Sequence, residues 1–121
     1  FAELEPGLFQ QVFPHWTNPA FYLRPEDRAL YHACAVLLAA GTQSLWLQTQ
    51  EKMQKLGVSQ FALNTYLNRI ALQFMNEQAQ AMTGPWVRGD RKTIESNLKA
   101  LKGSPLHETY LNLMKGHYEY P

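Results

Sequence analysis

Residues 25–57 read PEDRALYHACAVLLAAGTQSLWLQTQEKMQKLG, and the rest of the chain is organised around them. The stretch predicts one long helix. Pro25 suits a first helical position, where its missing N–H costs nothing. Glu26 and Asp27 place negative charge at the positive end of the helix dipole, Lys52 and Lys55 lie near the other end, and Gly57 is a natural C′ stop. Between residues 29 and 47 there is no Asp, Glu, Lys or Arg. A helix apolar on all sides is expected to be buried, so it is read as a central post with later helices packed around it. The alternative is a membrane span, which needs about 20 predominantly apolar residues. His32, Thr42, Gln43 and Ser44 interrupt the run, Ala and Gly supply much of the rest, and charged residues follow without an aromatic belt. These features favour a core helix.

The chain has 121 residues, enough for one ordinary domain, with 45% hydrophobic and 12% aromatic residues to build a core. A formal net charge of +1 argues against a broad polyanion-binding field. The single cysteine, Cys34, excludes an internal disulfide, and its place on the apolar helix predicts a small buried hydrophobe. No signal peptide is visible, and a cytoplasmic location is expected. The sequence opens on Phe1 rather than Met, as a piece of a longer protein would.

Pro6, Gly7, Pro14 and Pro19 deny residues 1–24 a long helix, while Phe9, Phe13, Trp16 and Phe21 make them too apolar for a free tail. An irregular arm or interdomain linker is expected there, with a short strand or helical turn, followed by a helical domain over residues 25–121. His15 has no second ligand at metal spacing and reads as an ordinary packed residue. Ser59 is a candidate N-cap for a second helix to about Met82, with Leu63, Tyr66, Leu67, Ile70, Phe74 and Met75 as a core stripe. Asn64, Asn68, Gln73, Asn76, Glu77 and Gln80 fall mostly on its other faces, an amide-rich surface able to line an interface. Asp90 caps a third helix to about Lys102, with Ile94, Leu98 and Leu101 inward and Gly103 closing it. Ser104-Pro105 starts a fourth, striped by Leu106, Tyr110, Leu113, Met114 and His117 or Tyr118. No strand period, repeat or low-complexity run is present. The expected fold is all-α, a helical bundle around one long apolar helix.

No Gly-rich phosphate loop, Cys/His cluster or nucleophile elbow appears. Two places are candidates for chemistry. Tyr31-His32 lies on the apolar helix, where His32 is either a satisfied core histidine or a proton donor lining a cleft. TGPWVRGD, residues 83–90, brackets Arg88 with glycines that permit close backbone approach, and a guanidinium there can hold a carboxylate or phosphate bidentately. The plainer reading is a helix connection in which Arg88 pairs with an acidic neighbour and Asp90 merely caps. Arg-Gly-Asp also spells a cell-adhesion tripeptide, read here as chance.

The longer segment TGPWVRGDRKTIESNLKAL, residues 83–101, resembles the T-G-P-x-x-R-G-D signature of a family whose second domain is catalogued as domain of unknown function 2520. ALYHACAV, residues 29–36, is similar to that family's Tyr-His-Ala-Ala-Ala element, and the spacing between the two also fits. The resemblance covers most of the chain from about residue 21 onward. It implies a two-domain protein, with a Rossmann-like N-terminal domain that binds NADP or NAD and a helical C-terminal domain. That helical domain resembles those of 6-phosphogluconate dehydrogenase, ketopantoate reductase and pyrroline-5-carboxylate reductase. On this resemblance the chain is the C-terminal, substrate-binding and dimerisation half of an oxidoreductase acting on a small anionic substrate. Its own dinucleotide-binding domain and a second copy are the implied partners. His32 is the implied proton donor. Tyr31, Thr83, Gly84, Arg88 and Asp90 are the implied substrate-binding residues. A non-catalytic helical dimerisation or scaffold module is the alternative. The chain departs from the family in two places: Ala39-Ala40 stand near a common Ser-Asn pair, and Asn97 stands where a third-helix His is frequent.

Overall fold

The computed structural model describes residues 7–17 and 19–119. Readings that fall on residues 1–6 and on Asn18 lie outside them. The fold is all-α, and no strand occurs among the described residues. Two compact units divide the chain, Phe1–Trp46 and Leu47–Pro121.

In the first unit, helix α1 (Leu8–Val12) is a single short turn begun by Gly7. It gathers three rings: Phe9 and Phe13 lie 5.3 Å apart, and Trp16 stands edge-on to both at 6.3 and 6.2 Å. The expected turn of helix in the arm is therefore present, with aromatic rings packed together on it.

Helix α2 (Pro25–Lys55) is the long helix that the sequence predicts. It opens as a tight turn with Pro25 at its first position and Arg24 extended before it. Arg24 bridges to Asp27 at 2.7 Å and Glu26 at 3.4 Å. These pairs are exposed, so they set geometry more than stability. Residues Leu37–Gly41 form a π turn that the sequence reading missed. The Thr42 amide donates to the Leu37 carbonyl five residues back, and the Thr42 hydroxyl donates to that same oxygen at 3.3 Å. At its end, α2 closes in a Schellman arrangement. Gly57, at φ 89°, donates to Gln54, and Val58 donates back to Met53.

In the second unit, Ser59 caps helix α3 (Gln60–Glu77) by accepting from the Ala62 amide at 3.2 Å. α3 stops short of Met82 because Gln78 turns left-handed at φ 52° and the chain tightens into a 3-10 turn at Gln78–Ala81. A four-residue helix, α4 (Pro85–Arg88), follows where a loop is expected. Helices α5 (Arg91–Leu101) and α6 (Pro105–Met114) begin at Asp90 and Ser104, the caps that the sequence predicts. Ile94, Leu98 and Met114 form a closed cluster with Trp86, Tyr110, Leu111 and Tyr118 packed against it. Leu106 and Leu63 are also buried.

Burial elsewhere corrects the sequence reading. No residue of α2 is buried within the chain. Leu30, Leu37, Leu38 and Leu47 are 68–77% exposed. Cys34, expected inside, is exposed. Of the α3 stripe, only Leu63 is buried; Tyr66, Ile70, Phe74 and Met75 are open. Apolar periodicity marks which side chains prefer to leave water but does not name the surface that covers them. Fully covering each such leucine is worth about 1.5–3 kcal/mol, so four open ones on one helix leave a substantial driving force unused.

Ile94 is fully enclosed, so Ile94→Ala is expected to destabilise the fold by about 2–5 kcal/mol in urea denaturation. Ser104→Ala removes the α6 cap, which accepts from Leu106 at 3.2 Å, and is expected to cost about 1 kcal/mol.

Candidate functional site

The turn at residues 83–90 is built from the backbone outward. Gly84 has φ 106° and ψ −173°, a conformation closed to side-chain-bearing residues. That bend lets Pro85 start α4, and the Gly84 carbonyl accepts from the Arg88 amide at 3.2 Å. Gly89, at φ 65°, ends the helix in the left-handed region, and the Asp90 amide returns to the Pro85 carbonyl at 2.9 Å. Both glycines of the motif are thus required by local geometry.

Trp86 holds this turn against the core. Its ring meets Tyr110 edge-on at 4.9 Å and stacks beside His117 at 6.3 Å. Tyr110 is itself fixed, its hydroxyl accepting from the Asn97 amide nitrogen at 3.1 Å. The indole Nε1 is buried without a hydrogen-bond partner among the described residues. Leaving such a donor unmet costs on the order of 1–3 kcal/mol, so Trp86 is kept there for its contact area. Sequence reasoning missed Trp86, although a large amphipathic ring beside Gly84-Pro85 is a signal that the loop is pinned rather than free.

Asp90 is committed to the next helix. Its carboxylate accepts from the Thr93 amide at 3.1 Å and from the Thr93 hydroxyl at 2.7 Å. The Thr93 hydroxyl, followed by its amide, holds the Asp90 carboxyl below its ordinary 3.8, with Arg88 and Lys92 assisting. Arg88 ends α4 exposed, and its guanidinium makes no hydrogen bond or salt bridge among the described residues. Thr83 is exposed beside it.

Tyr31 and His32 stand in the first turns of α2. Tyr31 is half exposed and tilts against Phe21 at 5.7 Å. His32 is exposed rather than spent as a core histidine. The pair belongs to the unit Phe1–Trp46, and Thr83, Gly84, Arg88 and Asp90 belong to Leu47–Pro121. Each group is gathered within its own unit. His15 is also exposed, so it does not pack as expected.

One further surface was only half legible. An open groove of about 490 Å³ runs along α3, lined by Thr65, Asn68, Arg69, Leu72, Gln73 and Glu77. Gln73 donates to Glu77 at 3.3 Å. This is part of the amide-rich face noted in the sequence, with Arg69 as the cation that the reading passed over. No group of three or more His, Cys, Asp or Glu stands together among the described residues.

Residues 4–116 match the family model for a domain of unknown function, DUF2520, and the chain belongs to that family. No curated protein and no solved structure matches it.

Asp90 has a depressed pKa in the folded state, so its contribution to stability is present above its unfolded value and is lost as pH falls through the folded one. Asp90→Ala is expected to lower Tm at neutral pH. The gap to the parent chain should close as pH drops below about 3.8, read by circular dichroism melts across that range.

Proposed function

We propose that this chain is the helical substrate-contacting domain of an NAD(P)-dependent oxidoreductase acting on a small anionic substrate. The observation that carries the reading is Arg88. It is a solvent-facing cation with no salt bridge among the described residues, at the end of a short helix whose bends need Gly84 and Gly89 and whose position is fixed by Trp86. A guanidinium held this way can bind a carboxylate or phosphate with little ordering cost. His32 is exposed and available, and an imidazole near neutrality can move a proton at a substrate oxygen. Tyr31 and Thr83 supply further polar contacts, while Asp90 acts by holding α5 and the turn in place.

The described residues contain no strand leading into a Gly-rich turn, the usual pyrophosphate cradle. The dinucleotide supplies hydride chemistry when bound, and its holding is assigned to a dinucleotide-binding domain of the same protein. The work of this chain is to anchor the anion, orient the reacting carbon and exclude water.

A second reading, a scaffold without catalysis, is favoured by the open apolar surface of α2. The two separate in the full-length protein. On the enzyme reading, NADPH or NADH raises Tm. Arg88→Ala raises KM about 10- to 100-fold for an anionic substrate, as loss of a charge-assisted contact does. His32→Ala lowers kcat by about 10²- to 10⁴-fold, the usual share of one general acid. No thermal shift with either cofactor, together with unchanged activity in both variants, overturns the reading.

A further inference from the structure

We infer that the turn following α6, residues 115–118, is a clasp that holds the Arg88 turn ready for its anion, with His117 and Tyr118 as positioning residues. This deepens the proposed function and rests on its reading of Arg88 as the anion anchor.

The need for a clasp comes from α4 itself. Four residues are too few for a helix to hold its own shape, because nucleation fixes several dihedrals for each bond gained. The glycines at 84 and 89 give the backbone its bends and also leave it more freedom to lose. Arg88 is exposed, and its guanidinium makes no ion pair among the described residues, so its order has to come from its neighbours.

Contacts on either side of Arg88 supply that order. Two residues before it, the Trp86 ring lies nearly parallel to the His117 imidazole, with 11° between planes and 6.3 Å between centroids, an offset stack. One residue after it, a Cβ built on Gly89 would lie 3.6 Å from Cε2 and 3.9 Å from Cδ2 of Tyr118, so the phenol edge rests beside the left-handed bend. Adjacent residues of one turn thus touch the Arg88 turn on both flanks of the guanidinium's residue. That turn is itself anchored. The amides of His117 and Tyr118 both donate to the Met114 carbonyl, at 2.8 and 2.9 Å, and the Met114 side chain is fully enclosed in the core. Tyr110 meets the same indole edge-on at 4.9 Å, so the ring is held by α6 and by the turn after it.

An anion that meets a loose turn has to order it on binding, and that cost lowers affinity; a turn ordered in advance avoids it. His117 and Tyr118 touch no substrate in this scheme. They act through Trp86 and Gly89.

Amide hydrogen exchange and phosphate titration of the full-length protein test this. The amides of Arg88, Gly89 and Asp90 donate to the carbonyls of Gly84, Trp86 and Pro85. In Tyr118→Ala and in His117→Ala these amides are expected to exchange several-fold faster, with the Leu98 amide in α5 unchanged. Inorganic phosphate, titrated calorimetrically, is expected to bind each variant about 2- to 10-fold more weakly than the parent, the share of ordering one long side chain. Tyr118→Phe keeps the ring and is expected to match the parent in both readouts. Should Tyr118→Ala not fold, His117→Ala carries the test, because His117 is exposed. Parent-like exchange at residues 88–90 in the folded variants overturns the clasp. Faster exchange with unchanged phosphate affinity overturns the positioning role. Arg88→Ala separates the two readings. If it weakens phosphate binding while the clasp variants do not, the clasp alone fails. If the parent binds no phosphate, or Arg88→Ala binds it equally well, the anion anchor fails and this inference with it.

Discussion

Apolar surface has to leave water, and in this chain α2 is where that demand is unmet. Its leucines cannot be covered by residues next to them in sequence, because those residues lie on the same continuous helix and cannot fold back over it. Covering them would contribute more than any ion pair on the helix, since Arg24–Glu26, Arg24–Asp27 and Lys55–Glu51 are all solvent-exposed. The lowered pKa of Glu51, set chiefly by its bond to Lys55, belongs to the helix rim and not to a buried site.

The end of the chain meets the same demand locally. Ile94, Leu98 and Met114 come from two adjacent helices joined by Gly103, so short loops suffice to close their cluster. Trp86 extends the cluster to α4 and carries Arg88 with it. The candidate anion anchor thus inherits rigidity from a core only a few residues away, and it needs no outside partner to be placed. Even the unmet indole N–H fits this picture, because ring area outweighs one lost hydrogen bond.

These two situations explain what was legible in the sequence. Caps were: Ser59, Asp90 and Ser104 each bind an amide two or three residues ahead, and Gly57 and Gly103 take the positive φ that helix ends require. Such signals are local, so residue type and spacing contain them. The inward faces of α5 and α6 were also legible, since their covering partners lie next in the chain. The π turn was not, because Thr42 donating back to Leu37 looks from sequence like any threonine in a helix. Nor was α4, four residues long and held by a tertiary contact of Trp86. The burial of α2 and of the α3 stripe was misjudged for a different reason. Period and composition state a preference for cover, while the supplier of that cover lies outside any local pattern. Of the candidate site, the Asp90 cap was legible; Gly84 and Gly89, read as permitting close backbone approach, instead take the positive φ that the turn requires, and the anchoring by Trp86 was not legible.

His32 shows the same limit from the polar side. It stands between Leu30 and Leu37 on α2, and like them it is exposed. A polar residue inside an uncharged apolar run is read with the run, so a core histidine is the reading that composition favours. The run and the histidine instead share one open surface. A role for His32 therefore starts from an accessible imidazole and not from one satisfied inside a core.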